Sequence, residues 1–144
     1  MEYYKKRQYG RMLIGFCLFT AGFIYSFDGP SDEFLITLAI LSGVICFFGW
    51  LTVTIDKTHL KIRMGLGLFG RKIPLKEITN TKITKIPWWL GSGVRYYRGG
   101  MIYNVAGFQA VEIIYKNNKV IIIGTAEPEF LKQKIDSARG LFQS

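Results

Sequence analysis

The stretch AVEIIYKNNKVIII, residues 110–123, decides the class of fold. Two runs that are rich in β-branched or alternating residues, 110–116 and 119–123, flank the pair Asn117-Asn118. Asparagine tolerates the positive φ angles that a two-residue type I′ turn requires. The stretch therefore predicts a β-hairpin, and it indicates that the surrounding sequence belongs to a β-sheet domain.

The sequence on both sides of this hairpin extends the same domain. Short β-type runs occur upstream at 52–55, 60–64 and 78–86, with Gly, Pro and Asn between them. Downstream, Thr125 is suited to cap a helix. That helix carries an apolar stripe with spacing i, i+4, i+7 and i+11, formed by Leu131, Ile135, Ala138 and Phe142. We predict a mainly β domain over residues 51–144, closed by a C-terminal helix that lies on the sheet.

Two uncharged runs precede the domain, one of about 16 residues at 12–27 and one of about 22 residues that starts at Phe34. As helices they would be roughly 24 and 33 Å long. The segment between them contains Gly, Pro and three carboxylates and is typical of a turn. The runs predict two transmembrane helices, at 12–27 and 34–50, packed as an antiparallel hairpin.

Charge predicts the orientation of this hairpin. Lys and Arg flank both runs but are absent between them, at Lys5, Lys6, Arg7 and Arg11 before the first and Lys57, Lys61 and Arg63 after the second. By the positive-inside rule, the basic N-terminal segment 1–11 and the C-terminal domain are both cytoplasmic. Two alternatives remain, a cleaved signal peptide at the first run and a buried helical hairpin of a soluble domain.

Composition limits the chemistry. The chain has 144 residues, 49% of them hydrophobic, and a net charge of +9, which permits anionic partners without naming one. His59 is the one histidine, and Cys17 and Cys46 both lie in the apolar runs, so no metal or cofactor is expected. Neither a Ser-His-Asp set nor a pair of carboxylates spaced for acid and base work is evident, so an enzyme is not favoured.

A glycine pattern at Gly65, Gly67 and Gly70 has the letters of a dinucleotide-binding loop. Such a loop must open a helix, and Pro74 follows instead. The pattern therefore predicts a connection between two strands.

Two sets of residues are candidates for contact with partners. The first mixes aromatic, basic and glycine residues and is assigned to protein contact, with candidates Trp88, Trp89, Arg95, Tyr96, Tyr97 and Tyr103. Single-stranded nucleic acid platforms have a similar composition, but beside a membrane anchor this interpretation is not favoured. The second set is basic and is assigned to anionic lipid, with candidates Lys57, Lys61, Arg63, Arg71 and Lys72.

Three strings in the second half, at 91–95, 100–112 and 123–131, resemble bacterial pleckstrin-homology-like domains that follow one or two transmembrane helices. The resemblance implies two roughly orthogonal sheets of about seven antiparallel strands, capped by a C-terminal helix, in the bacterial inner membrane. In related eukaryotic domains a Lys-x(n)-Lys-x-Arg pattern often binds phosphoinositides, and Lys57 to Arg63 looks similar. We also expect Arg95 and Glu112, from the most family-like strings, to pair across adjacent strands.

These observations lead to an expected function. We expect a membrane-anchored interaction module without catalytic activity, which forms a homo-oligomer or serves as a small subunit or assembly factor of another membrane protein. The alternative is recognition of anionic lipid headgroups at the inner leaflet, and an uncharacterised enzyme is third. Nucleic acid is not an expected partner.

Overall fold

Two β-sheets, three α-helices and two short 3₁₀ helices, Leu75–Glu77 and Trp88–Leu90, are formed in the computed structural model, which describes residues 2–91, 93–97, 99–105 and 107–143. In chain order the elements are β1 (Glu2–Tyr9), α1 (Arg11–Asp28), α2 (Asp32–Phe48), β2 (Trp50–Asp56), β3 (His59–Met64), β4 (Phe69–Pro74), β5 (Ile78–Lys85), β6 (Gly93–Tyr97), β7 (Gly100–Asn104), β8 (Gln109–Tyr115), β9 (Lys119–Gly124) and α3 (Pro128–Gln143). The mainly β domain with a closing helix is therefore confirmed.

The first sheet is antiparallel with the order β1-β2-β3-β4. Its strand β1 lies in the segment that the sequence analysis placed outside the domain, as a basic N-terminal segment 1–11. In the structure β1 pairs with β2 up to Tyr9 and Trp50. Tyr4 packs against the core, and Lys6 forms an ion pair with Glu127 near the start of α3. Polar residues occupy both faces of β1, so its sequence lacks the alternation of apolar and polar residues that predicts a strand.

The second sheet has the order β5-β8-β9-β7-β6. The predicted hairpin is confirmed as β8 and β9, but its loop has three residues, 116–118, all with positive φ, because Tyr115 pairs with Lys119. Strand β9 lies between β8 and β7 and runs parallel to β7. The described residues thus form nine strands with one parallel pair, whereas about seven strands, all antiparallel, were expected.

The two sheets and α3 enclose the main core. The predicted stripe of α3 is confirmed at Leu131, Ile135 and Ala138, which are buried, whereas the side chain of Phe142 lies outside the described residues. Thr125 is not the N-cap as predicted, because α3 begins at Pro128 and the cap position is Glu127; the Thr125 hydroxyl instead accepts a hydrogen bond from the Glu127 amide at 3.1 Å in the turn before the helix.

Asp136 fastens α3 to β5. The Thr81 hydroxyl donates to its carboxylate at 2.6 Å. Burial alone would raise the pKa of Asp136, but hydrogen bonds from Lys132 and Thr81 outweigh burial and hold the pKa below its ordinary value. The closing helix is therefore held by an ionised group as well as by apolar packing.

Both uncharged runs form helices, α1 and α2, and their bounds differ from the prediction. Helix α1 contains all of 12–27, whereas α2 ends at Phe48 and Trp50 already belongs to β2, so the predicted span 34–50 is too long at its end. The helices meet at both ends of the pair. The Gly10 amide donates to the Gly49 carbonyl at 2.7 Å, and the rings of Tyr25 and Phe34 lie 5.4 Å apart.

Within the described residues, α1 is the one helix that is long and apolar enough to cross a membrane. Its only buried residue is Cys17, so its apolar side chains face outward. Helix α2 has 17 residues, about 26 Å, and none of them is buried. The structure therefore supports one candidate span rather than the two that were predicted.

Candidate functional site

The bases of α1 and α2, at Gly10 and Gly49, lie at one end of the β domain. The predicted strand connection at Gly65 is confirmed as the turn between β3 and β4, and it packs on the last turn of α2. A β-carbon at Gly65 would overlap the carbonyl oxygens of Phe47 and Cys46, so only glycine allows this approach. On the other side, Val105 packs beside Gly10 at the start of α1. This end of the domain is therefore in contact with both helices.

A basic surface on the first sheet begins at the same end. Cross-strand pairing puts Lys5, Thr54, Lys61 and Lys72 in one row and Arg7, Thr52 and Arg63 in the next. These residues lie on the outer face, because their neighbours along the strands, such as Val53 and Ile62, are buried in the core. Lys5, Arg7, Lys61 and Arg63 line a concave region of about 380 Å³, the basic groove.

The charges of the basic groove are only partly compensated. Lys61 forms an ion pair with Asp56 at 2.7 Å. A hydrogen bond from Lys61, followed by one from the Thr58 amide, lowers the pKa of Asp56, which is therefore ionised at neutral pH. Within the described part of the chain, Arg7 and Arg63 have no carboxylate partner. The groove therefore offers two guanidinium groups to an anion, close to the base of the helices.

The structure brings four of the five predicted lipid-contact residues together and leaves the fifth apart. Lys61 and Arg63 line the basic groove, and both also line an adjoining concavity of about 450 Å³ together with Arg71 and Lys72. Lys57 lies in the turn between β2 and β3, at the end of the sheet away from the helices. Arg71 lines the adjoining concavity, and its side chain also hydrogen bonds Tyr103.

Two residues of the groove, Lys5 and Arg7, were not among the sequence candidates. The chain is basic at three consecutive positions, Lys5, Lys6 and Arg7, so the sequence carries no alternation that would show which of them share a face. Their position opposite Thr54 and Thr52 depends on the pairing of β1 with β2, which no local pattern encodes.

The protein-contact candidates are also dispersed. Trp88, 80% exposed, lies beside α1, where it lines an apolar crevice of about 220 Å³ together with Met12 and Phe108. Trp89 turns the other way and meets Tyr97 edge to face at 6.0 Å. The two adjacent tryptophans therefore belong to different surfaces.

The remaining candidates differ in exposure. Tyr96 is exposed on β6, an edge strand of the second sheet. Tyr103 is 3% exposed and belongs to the core, where burial raises the pKa of its hydroxyl. It therefore offers no surface to a partner, contrary to the expectation.

The expected pairing of Arg95 with Glu112 is wrong. One row of the second sheet contains Arg95, Ile102, Ile122, Glu112 and Lys82 in that order. Strands β7 and β9 separate the two residues, so their backbones are about 14 Å apart. Lys82 is the cross-strand neighbour of Glu112 instead.

Among the described residues there is no group of three or more His, Cys, Asp or Glu side chains that could hold a metal ion. His59 lies beside Thr58, whose hydroxyl is 2.6 Å from the ring Nδ1. Neither a protein-family model nor a curated protein matches this chain. The resemblance to bacterial pleckstrin-homology-like domains therefore stays a prediction.

Proposed function

We propose that this chain is a membrane-anchored binding module whose helices α1 and α2 cross the bilayer as a pair. The pairing of β1 with β2 supports this, because the two strands flank the helical segment and lie in one sheet. Both ends of the helical segment are therefore on the same side of any membrane. A chain that crosses with α1 must return with α2, although α2 is short.

The charges support an orientation with the β domain in the cytoplasm of a bacterial cell and the helices in its inner membrane. Basic groups lie at the base of the helices, whereas Asp28, Asp32 and Glu33 lie at the tip. The positive-inside rule places the basic end, and with it both termini, in the cytoplasm. Cleavage of α1 as a signal peptide is disfavoured, since it would remove β1 from the first sheet.

The basic groove carries the second part of the proposal, that the domain binds anionic lipid headgroups. Arg7 and Arg63 are two residues along their strands from the row of Tyr9 and Trp50, so they lie about 7 Å from the helix base. This distance is shorter than the roughly 8 Å Debye length at physiological salt. Guanidinium groups bind phosphate through paired hydrogen bonds, so a phosphate-bearing headgroup fits the groove.

Protein contact is the second candidate, and the edge strand β6 favours it. The outer edge of β6 has no neighbouring strand among the described residues, and exposed Tyr96 lies on it with Trp89 nearby. A second copy of this chain or another membrane protein could add a strand there. An enzyme remains third, with no described feature in its favour.

The headgroup proposal is tested with the full-length protein in nanodiscs of phosphatidylcholine, with or without about one third phosphatidylglycerol. We expect the preference for phosphatidylglycerol, measured by mass spectrometry of the lipids retained on mild extraction, to fall about thirtyfold in the Arg7→Gln, Arg63→Gln double variant. Each basic residue near an anionic surface contributes about 1 kcal/mol. Lys57→Gln is the matched control and should keep the preference.

Equal preference in the wild type and the double variant would contradict the headgroup proposal, provided that both have the same melting temperature in pure phosphatidylcholine. High salt should weaken the wild-type preference, because the interaction is electrostatic. An oligomeric wild-type particle that dissociates on replacement of Trp89 and Tyr96 by Ser would favour the second candidate.

A further inference from the structure

We propose that the β domain dips into the bilayer through a ring of apolar side chains around the helix base. This interfacial ring consists of Leu66, Leu68 and Phe69 of the turn between β3 and β4, together with Trp88 and Phe108. The inference rests on the proposed crossing of α1 and α2, and its partner is the boundary between the headgroups and the hydrocarbon of the same membrane.

The exposure of the ring is the first observation. Leu66 is 65% exposed, Leu68 70% and Trp88 80%. Phe69 and Phe108 are also exposed. Single exposed apolar residues are normal on a soluble domain, but a cluster of them at one end marks an interaction surface. Tryptophan is in addition enriched at the membrane interface, where its ring is partly apolar and partly polar.

The position of the ring is the second observation. Phe69 stacks on Phe48, at the end of α2, with ring centroids 5.6 Å apart. On the opposite side, Trp88 and Phe108 share a crevice with Met12 and Phe16 of α1. The ring therefore continues the outward-facing apolar surface of both helices onto the β domain. Continuity with a membrane anchor favours lipid over a protein partner.

The lengths of the helices are the third observation. The uncharged part of α1 is about 24 Å long and all of α2 about 26 Å, whereas a hydrocarbon core is about 30 Å thick. Short spans are accommodated by local thinning or by drawing adjacent groups inward. If the interfacial ring lies in the boundary, its apolar side chains cover the few ångströms of hydrocarbon that the two short helices do not span.

The basic groove fits the same placement. Leu66 and its neighbouring glycines Gly65 and Gly67 line the groove on the side of the helix base. A domain that sits with Leu66 in the boundary holds Arg63 and Arg7 at the level of the phosphates. The interfacial ring then lies at the edge of the hydrocarbon, and the basic groove lies at the headgroups of the same leaflet.

The experiment measures quenching of tryptophan fluorescence in vesicles of phosphatidylcholine that carries bromine near the headgroup end of its acyl chains. Two full-length double variants keep one tryptophan each. The first carries Trp50→Phe and Trp89→Phe and keeps Trp88. The second carries Trp50→Phe and Trp88→Phe and keeps Trp89. We expect at least a twofold loss of Trp88 fluorescence and little change for Trp89, whose ring packs against Tyr97 on the second sheet. Equal quenching of both residues would overturn the inference.

Two further variants separate the ring from the crossing on which it rests. Phe19→Trp, made with all three native tryptophans replaced by Phe, reports on the middle of α1 through lipids brominated deep in the chain. Quenching of this residue without quenching of Trp88 overturns the ring alone, and absence of both overturns the proposed crossing.

A second experiment tests the interfacial ring without replacing Trp50. An environment-sensitive fluorophore is attached at Leu68→Cys, or at Lys57→Cys as the control, with Cys17 and Cys46 replaced by Ser. A shift of the emission to shorter wavelength at position 68 and not at 57 supports the ring, and identical emission at both positions contradicts it.

Discussion

Replacing residues 11–48 with Asn-Gly is expected to leave a folded β domain that is held at the membrane only peripherally, through the basic groove and the interfacial ring. The Gly10 amide donates to the Gly49 carbonyl, and the register of β1 and β2 continues to this pair. An Asn-Gly type I′ turn connects two such residues with the twist that antiparallel strands require. Alkaline extraction should strip this chain from the membrane while the full-length protein stays in the bilayer, and amide NMR of the extracted chain should show both sheets intact.

Removal of β1 together with the helices provides the control. A chain that starts at Gly49 lacks Tyr4 and Gln8, which pack at the inner side of the first sheet, and it leaves β2 as an exposed edge. Loss of one large aromatic side chain from a core costs about 3 kcal/mol, and a bare strand edge promotes aggregation. If this shorter chain were as soluble and stable as the Asn-Gly chain, β1 would not be part of the domain.

Substitution of Gly65 by Ala is expected to destabilise the protein by about 4 kcal/mol, which corresponds to roughly 15 °C in melting temperature. The residue has a φ of 55°, which costs an alanine about 1–2 kcal/mol. The new methyl group would also overlap backbone oxygens of Phe47 and Cys46, and overpacking of this kind costs about 1–3 kcal/mol. Thermal unfolding in mild detergent, followed by tryptophan fluorescence, measures the change.

Gly67→Ala is the matched control within the same turn. Gly67 also has a positive φ, of 94°, but a β-carbon there would meet only the flexible end of Arg63, at 3.5 Å. We expect about 1–2 kcal/mol from backbone strain alone. Equal destabilisation by both substitutions would mean that the turn does not pack on α2.

Elements with local signals could be predicted from the sequence. The Asn117-Asn118 pair predicts the hairpin of β8 and β9, and the spacing of Leu131 and Ile135 predicts α3. Strand β1 could not be predicted, because its partner β2 lies beyond both helices and charged residues occupy both of its faces. The parallel pairing of β7 with β9 is also non-local, because it depends on where the hairpin of β8 and β9 packs against β7.

The candidate site shows the same limit. Lys61 and Arg63 could be selected because they alternate with buried residues along β3. Their companions Lys5 and Arg7 join them only through the register of β1. Tyr103 was wrongly selected as a surface residue. In a stretch of mixed composition, the sequence does not show whether an aromatic ring faces the solvent or the core.

The most direct test of the account concerns the side of the membrane on which each part lies. Pro30→Cys marks the tip between α1 and α2, and Lys57→Cys marks the β domain, each with Cys17 and Cys46 replaced by Ser. Both positions are exposed in the structure. Intact bacterial cells that express either variant are treated with a membrane-impermeant maleimide. We expect labelling at position 30 in intact cells and at position 57 only after the membrane is opened, whereas accessibility of both positions from one side would contradict the crossing of α1 and α2.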